Sequence, residues 1–111
     1  MSHKKNQSLI EILNHCAAVC NHCAMACLDV QDVKMLARCI QLDIDCAAIC
    51  SLAAGFVARG SEHAGHLLRE CADLCNACAE ECEKHKAMEH CQDCAEACRK
   101  CAAACGRLEH V

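Results

Sequence analysis

Sixteen of the 111 residues are cysteine, and their spacing is that of neighbours on a helix surface. Within each cysteine-rich segment they lie three, four or seven residues apart, and such positions share one face of an α-helix. Neighbours three or four apart have Cβ atoms about 5–6 Å from each other, so two thiolates can hold one soft cation. A sulfur that bridges two cations extends the site along the helix. The candidate metal ligands are Cys16, Cys20, Cys23, Cys27, Cys39, Cys46, Cys50, Cys71, Cys75, Cys78, Cys82, Cys91, Cys94, Cys98, Cys101 and Cys105.

The ligand type and spacing narrow the choice of metal. Thiolates select Cu(I), Zn or iron–sulfur clusters. Zinc prefers discrete tetrahedral sites, and ferredoxin clusters use other spacings, commonly with a following proline, which this chain lacks. A continuous stripe suits multiple Cu(I) ions, on the order of one per cysteine. A metallothionein-like Zn or Cd sink remains an alternative, and an iron–sulfur or redox carrier is less favoured.

Simple burial and disulfide bonding account less well for the sixteen cysteines. Cysteine is often buried as a small apolar residue, but sixteen on matched stripes exceed that role. Neighbours on one helix have poorly aligned Cβ vectors for disulfides, and no apolar signal segment follows Met1. We therefore expect a cytoplasmic protein with reduced thiols rather than a disulfide-stapled bundle. No catalytic motif is found, so the chain is predicted not to be an enzyme.

The elements that must position these cysteines are helices. Proline is absent and glycine is rare, while Ala, Leu, Glu and Lys favour helix. The predicted helices span about 8–29, 32–59, 62–86 and 88–107. Ser8 with Glu11 resembles a capping box for the first helix, and Asp32 is expected to cap the second. Gly60 should end the second helix, and Ser61 should cap the third.

An internal repeat organises the four helices into two pairs. The first-half cysteines recur 55 residues later, from Cys16 matching Cys71 onwards. The sequence therefore predicts an all-α fold: an antiparallel four-helix bundle of two duplicated hairpins, about 8–59 and 62–107, with a cysteine-lined core. We expect one domain over 1–111. Cys91 and Cys98 break the repeat, because Leu36 and Asp43 stand at their counterparts.

The two ends of such a bundle are predicted to differ. One end should be closed by apolar side chains, namely Leu9, Ile12, Leu13, Ala53, Phe56, Val57, Ala64, Leu67, Leu68 and Leu108. The other end collects His85, His90, Met35 and Met88, whose imidazole and thioether groups bind Cu(I). We expect metal to enter there, with His85 and His90 as candidate ligands and Met35 pointing inward.

One acidic residue shares the cysteine stripe. Asp43 lies between Cys39 and Cys46, and a buried carboxylate without a partner is costly. Asp43 is therefore a further candidate metal ligand. The remaining histidines are predicted to lie on the surface, at His15, His22, His63, His66 and His110.

Charge and hydropathy bear on partners. The net charge is −4 and no basic stripe is present, so nucleic acid is not expected to bind. No run of 18 apolar residues occurs, so no membrane span is expected. The second helix carries a further apolar stripe, which predicts self-association; its residues are Ile40, Ile44, Ala47, Ala54 and Ala58.

The sequence also resembles a known family, the bacterial copper storage proteins, and within it the cytosolic branch. The resemblance covers nearly the whole chain and rests on three motifs: Cys16-x3-Cys20-Asn-His-Cys23-x3-Cys27; Cys39-Ile-Gln-Leu-Asp43-x2-Cys46-Ala-x2-Cys50; and Cys82-x2-His85 followed by His90-Cys91-x2-Cys94. It implies a four-helix bundle that assembles as a homotetramer and stores many Cu(I) ions in its core. It also implies an opening lined by His85 and His90. A copper chaperone is a candidate donor.

Overall fold

The computed structural model describes the backbone of residues 3–109 and the side-chain environments of residues 6–107. Four α-helices, α1 His3–Leu28, α2 Ala37–Ala58, α3 Ala64–Glu83 and α4 Glu89–Glu109, follow one another, with a short 3-10 turn at Val33–Leu36. Each helix packs against its neighbours in sequence, and α4 closes the bundle against α1. The predicted four-helix bundle of two helical hairpins is therefore confirmed.

The first helix begins earlier than predicted. It already includes His3, so Ser8 is an interior residue and the proposed capping box is wrong. No proline or glycine interrupts residues 3–8, and Asn6 is buried there. Glu11 instead accepts a hydrogen bond from the Gln7 amide, Nε2 to Oε1, at 3.3 Å. This i, i+4 pair supports a continuous helix.

The second helix begins later than predicted, because the 3-10 turn precedes it. The Asp32 side chain makes no capping hydrogen bond, so its predicted role is wrong. Met35 is 52% exposed and Leu36 is fully buried, which also corrects the inward orientation expected of Met35. Both residues lie within four positions of Cys39, so an α-helical period points both towards the core. The tighter 3-10 geometry turns only Leu36 inward.

The turn between the hairpins follows from one glycine. Gly60 has φ 67°, a left-handed conformation that glycine adopts without steric cost. Its N–H donates to Val57 O at 3.0 Å, and the Ser61 N–H donates to Phe56 O at 3.0 Å, which together form a Schellman motif. The predicted end of the second helix is confirmed. Helix α3 begins only at Ala64, with His63 at its N-cap and no side-chain capping hydrogen bond, so the predicted cap by Ser61 is wrong. The Ser61 hydroxyl instead accepts from the His63 N–H at 3.1 Å and stabilises the turn before the helix.

The core is made of cysteine and alanine, with leucine and valine concentrated at one end and Leu36 buried near the other. All sixteen cysteines have 0% exposure and are free thiols. We call the apolar end the plug and define it by its buried residues Leu9, Leu13, Ala53, Val57, Ala64 and Leu68. Ile12, Phe56 and Leu67 pack partly buried against them. The Leu108 side chain lies outside the described side chains. The predicted closure of this end is otherwise as expected.

Among the described residues, one helical segment, Val33–Ala58, is long and apolar enough by length and composition to cross a membrane. This signal stands against the expectation of no membrane span. It is weak evidence, since the core helix of a bundle passes the same test. Here the cysteine face of the segment is buried within the bundle.

Candidate metal centre

The sulfur atoms form a continuous array along the bundle axis. Between α2 and α3, the Sγ atoms of Cys39 and Cys82 lie 3.4 Å apart, as do those of Cys46 and Cys75. Neighbours along a helix also approach, and Cys46 Sγ lies 4.0 Å from Cys50 Sγ. Helical spacing positions the pairs within one helix, and the antiparallel packing of α2 against α3 positions the pairs between helices.

Groups of four sulfurs recur along this array. Within each group, the ligand atoms all lie within 4.8 Å of one another. Groups made of cysteines alone include the following: Cys16, Cys46, Cys50 and Cys75; Cys16, Cys20, Cys46 and Cys98; Cys20, Cys78, Cys94 and Cys98; and Cys50, Cys71, Cys75 and Cys101. These groups share members, so one sulfur can bridge several ions. The overlap suits Cu(I) clusters better than the discrete four-ligand sites that zinc prefers.

We call the opposite end of the bundle, where His85 and His90 lie, the mouth. His90 joins a group with Cys23, Cys27 and Cys91, and its Nε2 lies 3.3 Å from Cys27 Sγ. The imidazole is partly buried, so the group reaches from the core towards solvent. This arrangement brings His90 together with the cysteines, as the sequence suggested.

His85 has a different partner. Its side chain is 11% exposed, and its Nε2 lies 3.2 Å from Glu81 Oε2. Glu81 is itself buried and is also paired with Arg38 on α2 and with Lys84. Sequence reasoning missed Glu81, although a carboxylate four residues before a histidine on one helix is a visible signal.

The connection between α3 and α4 is tied down by a side chain that sequence reasoning also missed. The Gln92 amide Nε2 donates to Cys82 O at 3.2 Å and to His85 O at 3.0 Å. The Cys82 carbonyl lies in the last turn of α3, where the last four carbonyls of a helix lack i, i+4 partners, and the His85 carbonyl lies just beyond the end of the helix. Gln92 thereby holds the mouth turn in place. Met88 lies in this turn and packs partly buried against the core.

Asp43 is fully buried among thiols. Its Oδ1 accepts from Cys78 Sγ at 3.1 Å and from Cys94 Sγ at 3.3 Å, and Cys82 and Cys39 are within 3.9 Å. Burial raises the pKa of the Asp43 carboxyl to about 9, so the metal-free protein holds it protonated at neutral pH. The structure thus brings Asp43 together with four candidate ligands.

Burial acts on the thiols too. Loss of solvation raises the pKa of Cys27 to about 11, and the neighbouring Cys39 adds to the shift. Burial also raises the pKa of Cys91. Hydrogen bonds from Cys23, and then from Cys39, lower the pKa of Cys82 to about 5. Most of these thiols must lose a proton to bind metal, so binding is coupled to proton release.

The predicted surface histidines lie where expected. His15, His22, His63 and His66 are exposed, and His110 lies outside the described residues. His66 Nδ1 lies 2.7 Å from Arg69 Nη2. These side chains are therefore separate from the sulfur array.

Comparison with known proteins agrees with this site. The model of a family described as copper storage protein matches residues 2–110. The uncharacterised cysteine-rich protein YhjQ of Bacillus subtilis is 41% identical over 87 residues, which cover 78% of this chain and 80% of YhjQ.

Solved structures resemble the bundle as well. The apo form of copper storage protein 3 from Bacillus subtilis has a TM-score of 0.88 at 40% identity, covering 94% of this chain and 98% of that one. A cytosolic copper storage protein from Streptomyces lividans, solved with five coppers, has a TM-score of 0.93 at 38% identity, with coverage of 98% and 95%. The Streptomyces protein has also been solved loaded with 10 copper equivalents.

Proposed function

The chain belongs to the copper storage protein family, and from that membership we propose that it stores many Cu(I) ions on the thiolates of its core. The observation that carries the proposal is the array of overlapping, fully buried cysteine groups. Shared sulfurs allow clusters with more ions than separate sites would hold. The Streptomyces relative, with five and with ten coppers, supports a capacity of several ions.

The proposed ligands are the sixteen cysteines together with His85, His90 and Asp43. His90 is supported by its contact with Cys27, and Asp43 by its four sulfur neighbours. Asp43 would have to lose its proton to bind, as most of the thiols do. We place entry at the mouth, because partly buried imidazoles there connect solvent with the sulfur array, whereas the plug is closed by buried apolar side chains.

The setting of this function is also a proposal. We infer that the chain works as a single domain in the cytosol, where reduced thiols persist and where its Streptomyces relative is described. Storage requires no chemical conversion, so we propose no enzymatic activity. A copper chaperone is the proposed donor of the ions.

Self-association is supported by the outer face of α2. Two members of the predicted stripe, Ala47 and Ala54, are buried inside the bundle, which corrects that part of the prediction, whereas Ile44 is 50% exposed. Leu52, outside the predicted stripe, is 51% exposed, and exposed apolar residues that form a patch mark an interaction surface. We propose that a second copy of this chain covers the face, in the homotetramer that the family resemblance implies. Sedimentation should give an oligomer for the wild type and a smaller species for Ile44→Glu. A monomeric wild type would contradict this.

The decisive experiment is an anaerobic titration of the fully reduced protein with Cu(I) against a competing chelator. We expect saturation on the order of one ion per cysteine. Saturation at one or two ions would sink the storage proposal. A parallel Zn titration tests the metallothionein-like alternative, which predicts about one Zn for every four thiolates.

A further inference from the structure

We propose that Glu81 is a positioning residue for copper uptake: its carboxylate holds the His85 ring through Nε2 and leaves Nδ1 free for the incoming Cu(I) ion. This inference rests on the proposed storage function and adds to it a residue that is not itself a ligand. Three observations support the proposal: the burial of Glu81, its contacts, and the nitrogen of the His85 ring that those contacts leave available.

Glu81 is buried to an extent that is unusual for a charged residue. It is 8% exposed, and a buried carboxylate is costly unless it is paired and hydrogen-bonded. Another glutamate near it on α3, Glu83, is much more exposed, with 45% of its side chain accessible. Burial of Glu81 therefore requires an arrangement of partners at the mouth.

The two carboxylate oxygens of Glu81 have separate partners. Oε1 lies 3.4 Å from Arg38 Nε and 3.3 Å from Lys84 Nζ, which bind it from α2 and from the end of α3. Oε2 lies 3.2 Å from His85 Nε2. The two cations occupy Oε1, which leaves Oε2 to face the imidazole.

The ion pairs of Glu81 decide which atom donates. Its Oε1 lies within 3.4 Å of both the Arg38 guanidinium and the Lys84 ammonium, and neighbouring cations favour the ionised carboxylate. An ionised carboxylate only accepts hydrogen bonds. The hydrogen between Glu81 and His85 therefore belongs to Nε2. In the neutral imidazole that leaves a lone pair on Nδ1.

The backbone of His85 is held as firmly as its ring. The His85 carbonyl accepts from the Gln92 amide at 3.0 Å and from the Met88 N–H at 3.0 Å. Histidines that bind metals commonly donate their other N–H to a carboxylate, which fixes the tautomer and the ring orientation. Glu81 and His85 have this relationship before any metal arrives. His90 differs, since its Nε2 contacts Cys27 Sγ.

The substitution Glu81→Ala should slow copper uptake without lowering the number of ions that the protein binds. We expect the initial rate of Cu(I) uptake from a Cu(I)–chelator complex to fall by about tenfold, the low end for loss of such a partner, while total capacity stays unchanged. The matched control is Glu83→Ala, which removes a carboxylate on the same helix that pairs with Arg99 at 2.8 Å. Its uptake rate should equal that of the wild type. An unchanged rate in Glu81→Ala would overturn the inference.

A double-mutant cycle distinguishes positioning from simple attraction of a cation by negative charge. If Glu81 acts through His85, Glu81→Ala should cause no further slowing in a His85→Ala background. Fully additive slowing would show that Glu81 acts independently and would contradict the proposal. A low capacity in the wild type would instead count against the storage function, so the two failures are distinguishable.

A spectroscopic measurement keeps the inference testable without copper. In the reduced apo-protein, ¹⁵N NMR should show His85 as the Nε2–H tautomer, with that proton exchanging slowly with water. Exchange should become faster in Glu81→Ala, and also in Glu81→Gln, which keeps the size of the side chain should the alanine variant fold poorly. An Nδ1–H tautomer in the wild type would overturn the assignment.

Discussion

The plug and the mouth close the same bundle by different interactions. At the plug, Leu13 and Val57 are buried with other apolar side chains, and the Arg59 guanidinium lies 4.9 Å from the centre of the Phe56 ring. At the mouth, Leu36 is also buried, but hydrogen bonds and ion pairs around Gln92 and Glu81 add to the closure. Apolar packing excludes water and ions alike. Imidazole, carboxylate and amide groups can exchange partners with an ion that enters, so we expect metal to enter at the mouth.

The largest expected effect is the gain in stability on binding metal, which should make the mouth and the plug more similar in stability. Cu(I) bound by sulfurs from different helices cross-links the bundle, and each site filled at about 1,000 times its Kd adds about 4 kcal/mol to the free energy of unfolding. We expect a helical apo-protein whose melting temperature rises steeply on loading. Circular dichroism melting with and without Cu(I) tests this, and chelator should reverse the gain. A random-coil apo spectrum would contradict it.

Amide hydrogen exchange should show which part of the bundle the bound metal stabilises. In the apo-protein, amides near the mouth should exchange faster than those near the plug, because fewer apolar contacts hold them. Loading should slow exchange most strongly at the mouth.

Removing part of the plug should destabilise the fold without opening a second entrance. Leu13 is fully buried, and Leu13→Ala should lower the free energy of unfolding by about 3 kcal/mol, as is typical of a cavity in a core. Urea unfolding of the apo-protein measures the loss. Leu28→Ala, at a leucine on the same helix that is 51% exposed, is the matched control and should change stability by less than about 0.5 kcal/mol. Faster Cu(I) uptake in Leu13→Ala would show that the plug is also a route for metal.

Removing the mouth histidines should slow copper uptake while leaving the stability of the fold nearly unchanged, which is the reverse of the result expected for the plug. In His85→Ala/His90→Ala, the uptake rate should fall by about tenfold, which is about 1.4 kcal/mol in the barrier, while unfolding in the absence of metal changes little. Stopped-flow mixing with a Cu(I)–chelator complex measures the rate. The exposed pair His15→Ala/His22→Ala is the control for loss of two imidazoles. Equal slowing in both double variants would mean that the mouth has no special role.

A last prediction concerns the pH dependence of the apo-protein and rests on Asp43, which lies between the two ends of the bundle. Folding raises the pKa of Asp43 to about 9 from about 3.9 in an unfolded chain. The native state therefore binds one more proton between these values, so stability is greatest below about pH 4 and falls as pH rises towards 9. In Asp43→Asn this contribution disappears. Melting temperatures at pH 5 and pH 8 should then differ less than in the wild type, and an unchanged difference would contradict the assignment.

Much of the site could be predicted from the sequence because helical periodicity converts spacing into direction. All sixteen cysteines were expected on core-facing stripes, and all are buried. Gly60 was expected to end a helix, since only a residue tolerant of positive φ fits that turn. These features are local, and each depends on residues within a few positions of one another.

Only the tertiary structure decided the features that depend on neighbours from other helices. Met35 and Leu36 were both compatible with an inward position, and the 3-10 turn selected Leu36. The four sulfurs around Asp43 come from α2, α3 and α4, so its protonation depends on packing. Glu81 gains its role from Arg38 on another helix and from burial against the bundle. The periodicity of a single chain determines which face of a helix is buried, but contacts between helices decide which atoms meet there.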